Sequence, residues 1–196
     1  MNKINIVIIA VILPIYMACN HSDTTFKNKK IVENDDPWLS KEIEFPPALL
    51  QLVGERIFDI DTTSSLFDSR PKVVSIIDAT CSKCILTQMN RLDSIFAELL
   101  DAGDRVFVLN VPREDSAYFM YHFQPLINIG GHIIWDSNYY FESANEIFSS
   151  NPHRRIFLID YQNRIVQMGN PLMNKEVMKE YQKSIEQLSP RIDFRL

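Results

Sequence analysis

Two cysteines three positions apart have the most informative spacing in this chain. Cys81 and Cys84 form the sequence Cys-Ser-Lys-Cys, which begins three residues after the apolar run 73–77 and leads into an amphipathic helical pattern. A cysteine at the N-terminus of a helix lies where free backbone N–H groups and the helix dipole stabilise a thiolate. A thiolate attacks disulfides, and a second thiol one turn later can resolve the mixed disulfide. The spacing therefore predicts thiol–disulfide chemistry, with Cys81 as the nucleophile and Cys84 as the resolving thiol.

The same pair has a second interpretation, as a structural disulfide in a redox-inert domain. A disulfide that closes so short a loop stabilises a fold only weakly, which favours the redox interpretation. Lys83 adds a positive charge next to the cysteines. Together with the helix terminus, this charge is expected to lower the pKa of Cys81 below its ordinary value of about 8.5.

The N-terminus predicts export from the cytoplasm. Lys3 precedes the almost wholly apolar run 4–16, which is shorter than the roughly 20 residues of a membrane span and is typical of a signal peptide. The run ends in Tyr-Met-Ala-Cys at Cys19, which resembles the lipobox of bacterial lipoproteins. The resemblance implies that Cys19 is lipidated and becomes the mature N-terminus. A simple secretory signal or an uncleaved anchor is the alternative.

Length and composition are those of one globular domain. The chain has 196 residues, of which 46% are hydrophobic and 23% are charged, and this is enough for a single core. The formal net charge of −5 disfavours nucleic-acid binding, which requires clustered Lys and Arg. We predict a signal peptide over residues 1–18, a flexible tether over 19–37 and one domain over 38–196. The protein is expected in the bacterial cell envelope, lipid-anchored on the periplasmic side or at the cell surface.

Apolar periodicity places the cysteines between a strand and a helix. Residues 72–77 are rich in β-branched side chains and predict a buried strand. Residues 46–53 predict a short helix that ends at Gly54, and residues 56–61 predict an edge strand. An apolar stripe after the cysteines predicts a helix that Gly103 ends. The members of this stripe are Ile85, Met89, Leu92, Phe96 and Leu99.

Strands and helices alternate over the rest of the chain. The predicted elements are a strand over 105–111, a helix over 112–126, a strand over 132–135, a helix over 138–148, a hairpin of 156–160 with 164–168, and a closing helix with an apolar stripe at Val177, Tyr181, Ile185 and Leu188. Asn163 in the hairpin turn tolerates the left-handed conformation that such turns require. This alternation predicts a three-layer α/β domain with helices on both faces of the sheet.

This order of elements, with Cys-x-x-Cys opening the first central helix, resembles the thioredoxin fold. From Pro46 to Leu188 the chain is similar to exported, membrane-anchored thiol–disulfide oxidoreductases of the TlpA/ResA and AhpC/TSA-like group. The motif Phe-Leu-Ile-Asp at 157–160, followed by Arg-Ile-Val, and the turn Trp-Asp-Ser at 135–137 also contribute to the resemblance. It implies a thioredoxin-like α/β/α sandwich with an N-terminal extension and an element inserted after the second core strand.

The resemblance also implies a function. Cys81 and Cys84 would form a redox-active disulfide that exchanges with protein thiols and disulfides in the cell envelope, without a cofactor or a bound metal. The N-terminal lipid would hold the protein on a membrane. The chain departs from the family at three positions: Thr80 replaces a tryptophan, Ser75 replaces the buried acid of thioredoxin, and Arg154 replaces the cis-proline of the loop that faces the cysteines. Pro152 lies two residues before Arg154 and is the other candidate for that proline.

Two further functions stay open. Paired thiolates suit Cu(I), so a thioredoxin-fold copper-relay module could use the cysteines together with His153. A redox-inert interaction domain is the other alternative. His153 is otherwise a proton shuttle, part of an anion-binding patch or a solvated loop residue, while His122 and His132 are expected in packing or at the surface. Asp78 is a candidate proton acceptor or a turn residue. Aromatic residues in the two predicted helices line a partner groove or pack in the core: Phe119, Tyr121, Phe123, Tyr139, Tyr140 and Phe141.

Overall fold

A computed structural model of the protein describes residues 36–60, 70–79, 82–101, 104–147 and 152–188. In chain order its main elements are β1 (Leu50–Val53), β2 (Arg56–Asp59), β3 (Lys72–Asp78), α1 (Ser82–Phe96), β4 (Arg105–Asn110), α2 (Ser116–His122), β5 (His132–Asp136), α3 (Tyr140–Ala144), β6 (Ile156–Ile159), β7 (Ile165–Met168) and α4 (Lys175–Leu188). The predicted signal peptide and Cys19 lie outside the described residues, as does most of the predicted tether. None of the helices in the described ranges is long and apolar enough to cross a bilayer.

The strands form one mixed sheet in the order β2-β1-β5-β4-β3-β6-β7. Strands β3, β4 and β5 are parallel, whereas β6, β7 and the hairpin of β1 and β2 pair antiparallel to their neighbours. Because the three central strands are parallel, their last residues are adjacent: Asp78 pairs with Asn110, and Asn110 pairs with Asp136. We call the region around these three residues the carboxyl end of the sheet. The chain turns from β3 into α1 at this end.

Helices cover both faces of the sheet, which confirms the predicted three-layer architecture. On one face α1, α2 and α4 pack against alternate strand residues, with Leu92, Phe119 and Tyr181 buried among them. On the other face α3 and the N-terminal extension pack together through Phe141 and Ile43. Between β4 and α3 the chain inserts α2 and β5, and β5 adds a strand next to β4. The expected N-terminal extension and inserted element are therefore both present.

The helix predicted over residues 46–53 is wrong, because residues 50–53 form strand β1. Leu50 pairs with Trp135 and Leu52 pairs with Ile133 of β5, while Gly54 turns the chain into β2 with φ +58°. A short run with five apolar residues in six fits a strand or a helix equally well, and pairing with the edge of β5 decides between them. The edge strand predicted next to it is confirmed as β2.

Three predicted helices differ in length from the observed ones. Helix α1 ends at Phe96 and is followed by turns over residues 97–100, so it stops well before Gly103. Helix α3 covers only Tyr140–Ala144, because Tyr139 and Glu146 flank it in left-handed conformations, with φ of 57° and 52°. The helix predicted over 112–126 is divided into a 3-10 turn, α2 and a second 3-10 turn. The strands predicted over 72–77, 105–111 and 132–135, the β6–β7 hairpin and the closing helix α4 are confirmed.

Candidate functional site

The cysteine pair lies at the junction between β3 and α1. Strand β3 ends at Asp78, and the next residue, Ala79, donates its backbone N–H to the Asn110 carbonyl at 2.9 Å. Helix α1 begins at Ser82, so Cys84 is the third residue of α1 and lies in its first turn. Cys81 and the side chain of Cys84 lie outside the described residues. Their roles as nucleophile and resolving thiol, and their disulfide, therefore stay predictions.

A buried carboxylate lies at the same end of the sheet. Glu142 on α3 is only 5% exposed. The Asn110 Nδ2 donates to Glu142 Oε2 at 2.5 Å, and Arg155 Nη2 lies 3.5 Å from Glu142 Oε1. We call these three residues the Glu142 cluster. Asn110 comes from the end of β4 and Arg155 from the 3-10 turn Pro152–Arg155 that leads into β6, so the cluster joins three elements at the carboxyl end.

The pKa of Glu142 is raised, chiefly because the carboxyl group is buried. Burial raises the pKa of Glu142, and the carboxylates of Asp78 and Asp136 raise it further. The Arg155 guanidinium and the hydrogen bond from Asn110 lower it, but the net shift is upward. The pKa of Tyr139 is also raised, chiefly by burial and then by Asp78 and Glu142.

Asp136 holds α3 in the position that buries Glu142. Its Oδ1 accepts the backbone N–H groups of Asn138 and Tyr140 at 3.2 and 3.0 Å, and its Oδ2 accepts that of Phe141 at 2.8 Å. These bonds satisfy free donors in the first turn of the helix. The aspartate turn expected at 135–137 is thus confirmed as the cap of α3.

The loop before β6 contributes Arg155 to the Glu142 cluster. That Pro152 is the cis-proline of this loop stays a prediction. Arg154 lies 3.5 Å from the Asp36 carboxylate and stacks over the Trp38 ring at 5.4 Å, so it contacts the N-terminal extension. Within the described ranges no peptide bond is cis. The bond before Pro152 involves Asn151, which lies outside them, as does the His153 side chain.

The other sequence candidates lie at several different places in the described part of the fold. His122 is exposed and packs on the Tyr118 ring at 4.4 Å, and His132 Nδ1 hydrogen-bonds Gln51 Nε2 at 3.0 Å. Ser75 is buried inside β3. Asp78 is half-buried at the carboxyl end, where its charge acts on Glu142. Among the side chains the structure describes, no three His, Cys, Asp or Glu residues are grouped to hold a metal ion.

The aromatic residues divide between the core and the surface. Phe119 and Phe141 are buried, whereas Tyr121 is 79% and Tyr140 is 43% exposed. Tyr140 also lines a cavity of about 260 Å³ at the carboxyl end of β5, together with Ala48, Leu50, Arg113, Trp135, Asp136, Ser137 and Asn138. Core packing explains the buried members of the set, and of the exposed ones Tyr140 borders this cavity.

Glu142 was not among the residues that the sequence singles out. A glutamate between Phe141 and Ser143 in a predicted helix is expected on the exposed face, because charged residues are rarely buried. Its burial depends on contacts with Asn110 and Arg155, and neither is a neighbour of Glu142 in the sequence. The sequence signal that could have pointed to this burial is the aspartate turn at 135–137. Asp136 holds the start of α3 against the sheet, and Glu142 lies in the first turn of that helix.

Replacing Glu142 by glutamine should change how stability depends on pH. Because the pKa of Glu142 is raised above its ordinary value of 4.5, its favourable contribution is complete below that value and is lost as pH rises through the folded-state pKa. We expect the wild type to lose on the order of 1 kcal/mol more stability than Glu142→Gln over this rise. Urea unfolding of both proteins from about pH 4 to about pH 8 measures the difference. Parallel stability curves would contradict the prediction.

No protein-family model and no curated protein matches this sequence. Solved structures similar to it include an uncharacterized thioredoxin-like protein from Porphyromonas gingivalis, at 14% identity and a TM-score of 0.49 over 76% of this chain and 93% of that one. The pneumococcal exposed lipoprotein thioredoxin of Streptococcus pneumoniae is 18% identical, with a TM-score of 0.47 over 70% and 99% of the two chains. The thioredoxin domain of a thiol-disulfide oxidoreductase from Bacteroides vulgatus is 14% identical, with a TM-score of 0.46 over 74% and 97%.

The fold is assigned from the strand order and pairing of this chain. A parallel pair, β3 and β4, joined by α1 and followed by the antiparallel hairpin of β6 and β7 and the closing helix α4, is the thioredoxin arrangement. The protein is a thioredoxin-like α/β domain in which a Cys-x-x-Cys sequence stands at the start of the first core helix.

Proposed function

We propose that this protein is a thiol–disulfide oxidoreductase of the cell envelope that exchanges disulfides with exported proteins through Cys81 and Cys84. The observation that carries the proposal is the position of the pair: α1 begins at Ser82, directly after Cys81, at the carboxyl end of a thioredoxin-like sheet. The signal-peptide pattern and Cys19 support an exported, lipid-anchored form.

The first turn of α1 favours a thiolate next to it. It contains Lys83 and no acidic residue, and the N-terminal N–H groups of a 15-residue helix carry partial positive charge. Thiol reactivity follows the thiolate fraction, which such surroundings increase. Cys84 belongs to the first turn of α1, and in this proposal its thiol resolves the mixed disulfide at Cys81.

The exchange transfers two electrons from the cysteine pair to the substrate disulfide. The Cys81 thiolate attacks one sulfur of a substrate disulfide, the substrate S–S bond breaks, and the other substrate sulfur leaves as a thiolate. The Cys84 thiolate then attacks the Cys81 sulfur and releases the second substrate thiolate. The substrate disulfide is reduced and the Cys81–Cys84 pair is oxidised. The reverse steps transfer a disulfide to a substrate dithiol.

A Cys84→Ser variant tests the proposal by trapping the intermediate. Without the resolving thiol, the mixed disulfide between Cys81 and a substrate should accumulate, whereas the wild type should release it. The reduced variant is incubated with native insulin, whose disulfides are intact. Non-reducing electrophoresis and mass spectrometry are expected to show a dithiothreitol-sensitive adduct at Cys81.

Cys81→Ser is the matched control, because it keeps one thiol in the same motif but removes the nucleophile. It should form no adduct under the same conditions. Failure of Cys84→Ser to form an adduct, together with cysteines that do not react with a small aromatic disulfide, would reject the proposed function.

A further inference from the structure

The cavity at the carboxyl end of β5 involves none of the residues that the proposed function uses. It has a volume of about 260 Å³. Leu50 and Trp135, which are paired across β1 and β5, form its inner wall. The exposed residues Ala48, Arg113 and Tyr140 belong to its rim. Because these rim residues are exposed, a ligand reaches the cavity from solvent without a rearrangement of the core.

Arg113 places an unpaired positive charge at this cavity. It lies in the 3-10 turn Arg113–Asp115, between β4 and α2. Its guanidinium forms no hydrogen bond or ion pair with any residue in the described ranges. A guanidinium is planar, and its parallel N–H donors match the two oxygens of a carboxylate. The charge at the rim therefore favours an anionic ligand with a planar acidic group.

The other charged residue in the wall already has its partners. Asp136 is 1% exposed, and its oxygens accept the backbone N–H groups of Asn138, Tyr140 and Phe141. These bonds fix the turn that carries Tyr140, in which Tyr139 is left-handed with φ 57°. The cavity is thus preformed, as ligand sites usually are. Among the described residues that line it, Arg113 is the charged group that is available to a ligand.

The size and the walls of the cavity limit what can occupy it. A water molecule takes up about 30 Å³ of the liquid, so this cavity holds roughly nine groups of that size. Ala48, Leu50 and Trp135 give it apolar walls, and Tyr140 adds an aromatic residue at the rim. A carboxylate on one six-membered ring, as in benzoate, matches this size, charge and polarity.

We propose that this cavity binds a small organic carboxylate, with the acidic group at the Arg113 guanidinium and the apolar body against Leu50 and Trp135. The ion pair orients the ligand and selects its charge, whereas burial of the apolar body supplies affinity. Both parts are needed, because an exposed ion pair by itself contributes little. The site requires neither cysteine, so it is a ligand-binding function beyond disulfide exchange.

Benzoate is the probe, and proton–nitrogen correlation NMR spectra of the protein show where it binds. Titration should shift the backbone amide signals of Leu50, Ser137 and Tyr140 saturably, with a dissociation constant on the order of 1 mM. Benzamide keeps the ring but lacks the charge, and acetate keeps the charge but lacks the ring. Each should bind about tenfold or more weakly than benzoate.

Three variants test the assigned contacts. Arg113→Gln should weaken benzoate binding about tenfold or more and leave benzamide binding unchanged, because only the carboxylate requires the guanidinium. Arg91→Gln is the matched control, since Arg91 is an exposed arginine on α1 that does not line the cavity. Ala48→Leu should weaken the binding of both ligands, because the larger side chain fills the cavity from its rim. The same spectra show whether each variant is folded.

Benzamide or acetate that binds as tightly as benzoate would overturn the inference. An Arg113→Gln variant that binds benzoate like Arg91→Gln, or the absence of saturable shifts at the three amides, would overturn it as well. If Ala48→Leu does not fold, Arg113→Gln decides alone. None of these results depends on Cys81 or Cys84, whose exchange with insulin is a separate measurement.

Discussion

Replacing Asp93 by alanine should lower the free energy of unfolding by about 3–5 kcal/mol, because it leaves a buried guanidinium without its counter-charge. Asp93, in the last turn of α1, is 8% exposed, and its Oδ1 lies 2.8 Å from Arg105 Nη1 at the start of β4. The same carboxylate accepts the backbone N–H groups of Gly130 and Gly131 at 3.0 and 3.3 Å. One side chain thus connects the cysteine helix, the central strand β4 and the turn before β5.

Urea unfolding followed by circular dichroism measures this loss. Asp101→Ala is the matched control: Asp101 is exposed, and only its backbone carbonyl contacts Arg105, with 3.4 Å to Nε. We expect the control to change stability by less than about 0.5 kcal/mol. Adding Arg105→Met to Asp93→Ala should recover part of the loss, because it removes the unpaired buried charge. A single variant as stable as the control would contradict the assignment.

Asp136→Ala is the second large effect and should lower stability by about 2–4 kcal/mol. The carboxylate accepts three backbone N–H groups at the start of α3. Its loss leaves these donors without this partner, and the N–H of Phe141 is buried, where the cost of an unmade hydrogen bond is highest. Since α3 carries Glu142, the variant should also release the Glu142 cluster and expose the carboxyl end to solvent.

Asp115 provides the comparison for this substitution. It occupies the N-cap position of α2, but its side chain makes no capping hydrogen bond. Asp115→Ala should therefore change the thermal unfolding midpoint little, whereas Asp136→Ala should lower it by roughly 5–15 °C for a domain of this size. Equal effects of the two substitutions would show that the hydrogen bonds of Asp136 do not stabilise the fold as argued.

The buried strands were predictable because short apolar runs rich in β-branched residues favour buried parallel strands. Strand β3 is almost wholly buried, as the continuous apolar run after Lys72 predicts, and β4 is buried throughout. Parallel strands covered on both faces require such runs. The turn between β6 and β7 was predictable as well: Asn163 has φ 57°, and asparagine is one of the few residue types that adopts this conformation readily.

Errors occurred where a local pattern allowed two structures. Residues 50–53 suit a strand or one turn of helix, and pairing with β5 at Trp135 decides for the strand. Helix α3 is short because Tyr139 and Glu146 adopt left-handed conformations, which neither residue type favours. Tertiary contacts offset that backbone strain, and the sequence contains no pattern that predicts it.

By itself, the sequence determined the local chemistry of the protein: a pair of thiols one helical turn apart, placed between a buried strand and an amphipathic helix. Such features depend on residues close together in the chain, so spacing and periodicity express them. Only the tertiary structure decided which charges surround that junction. Glu142 contacts Asn110 across 32 positions of sequence, and Arg155 reaches Glu142 from the turn that leads into β6. Because burial and electrostatic interactions act through space, a glutamate that looks exposed in the sequence becomes a buried charge beside the cysteine loop.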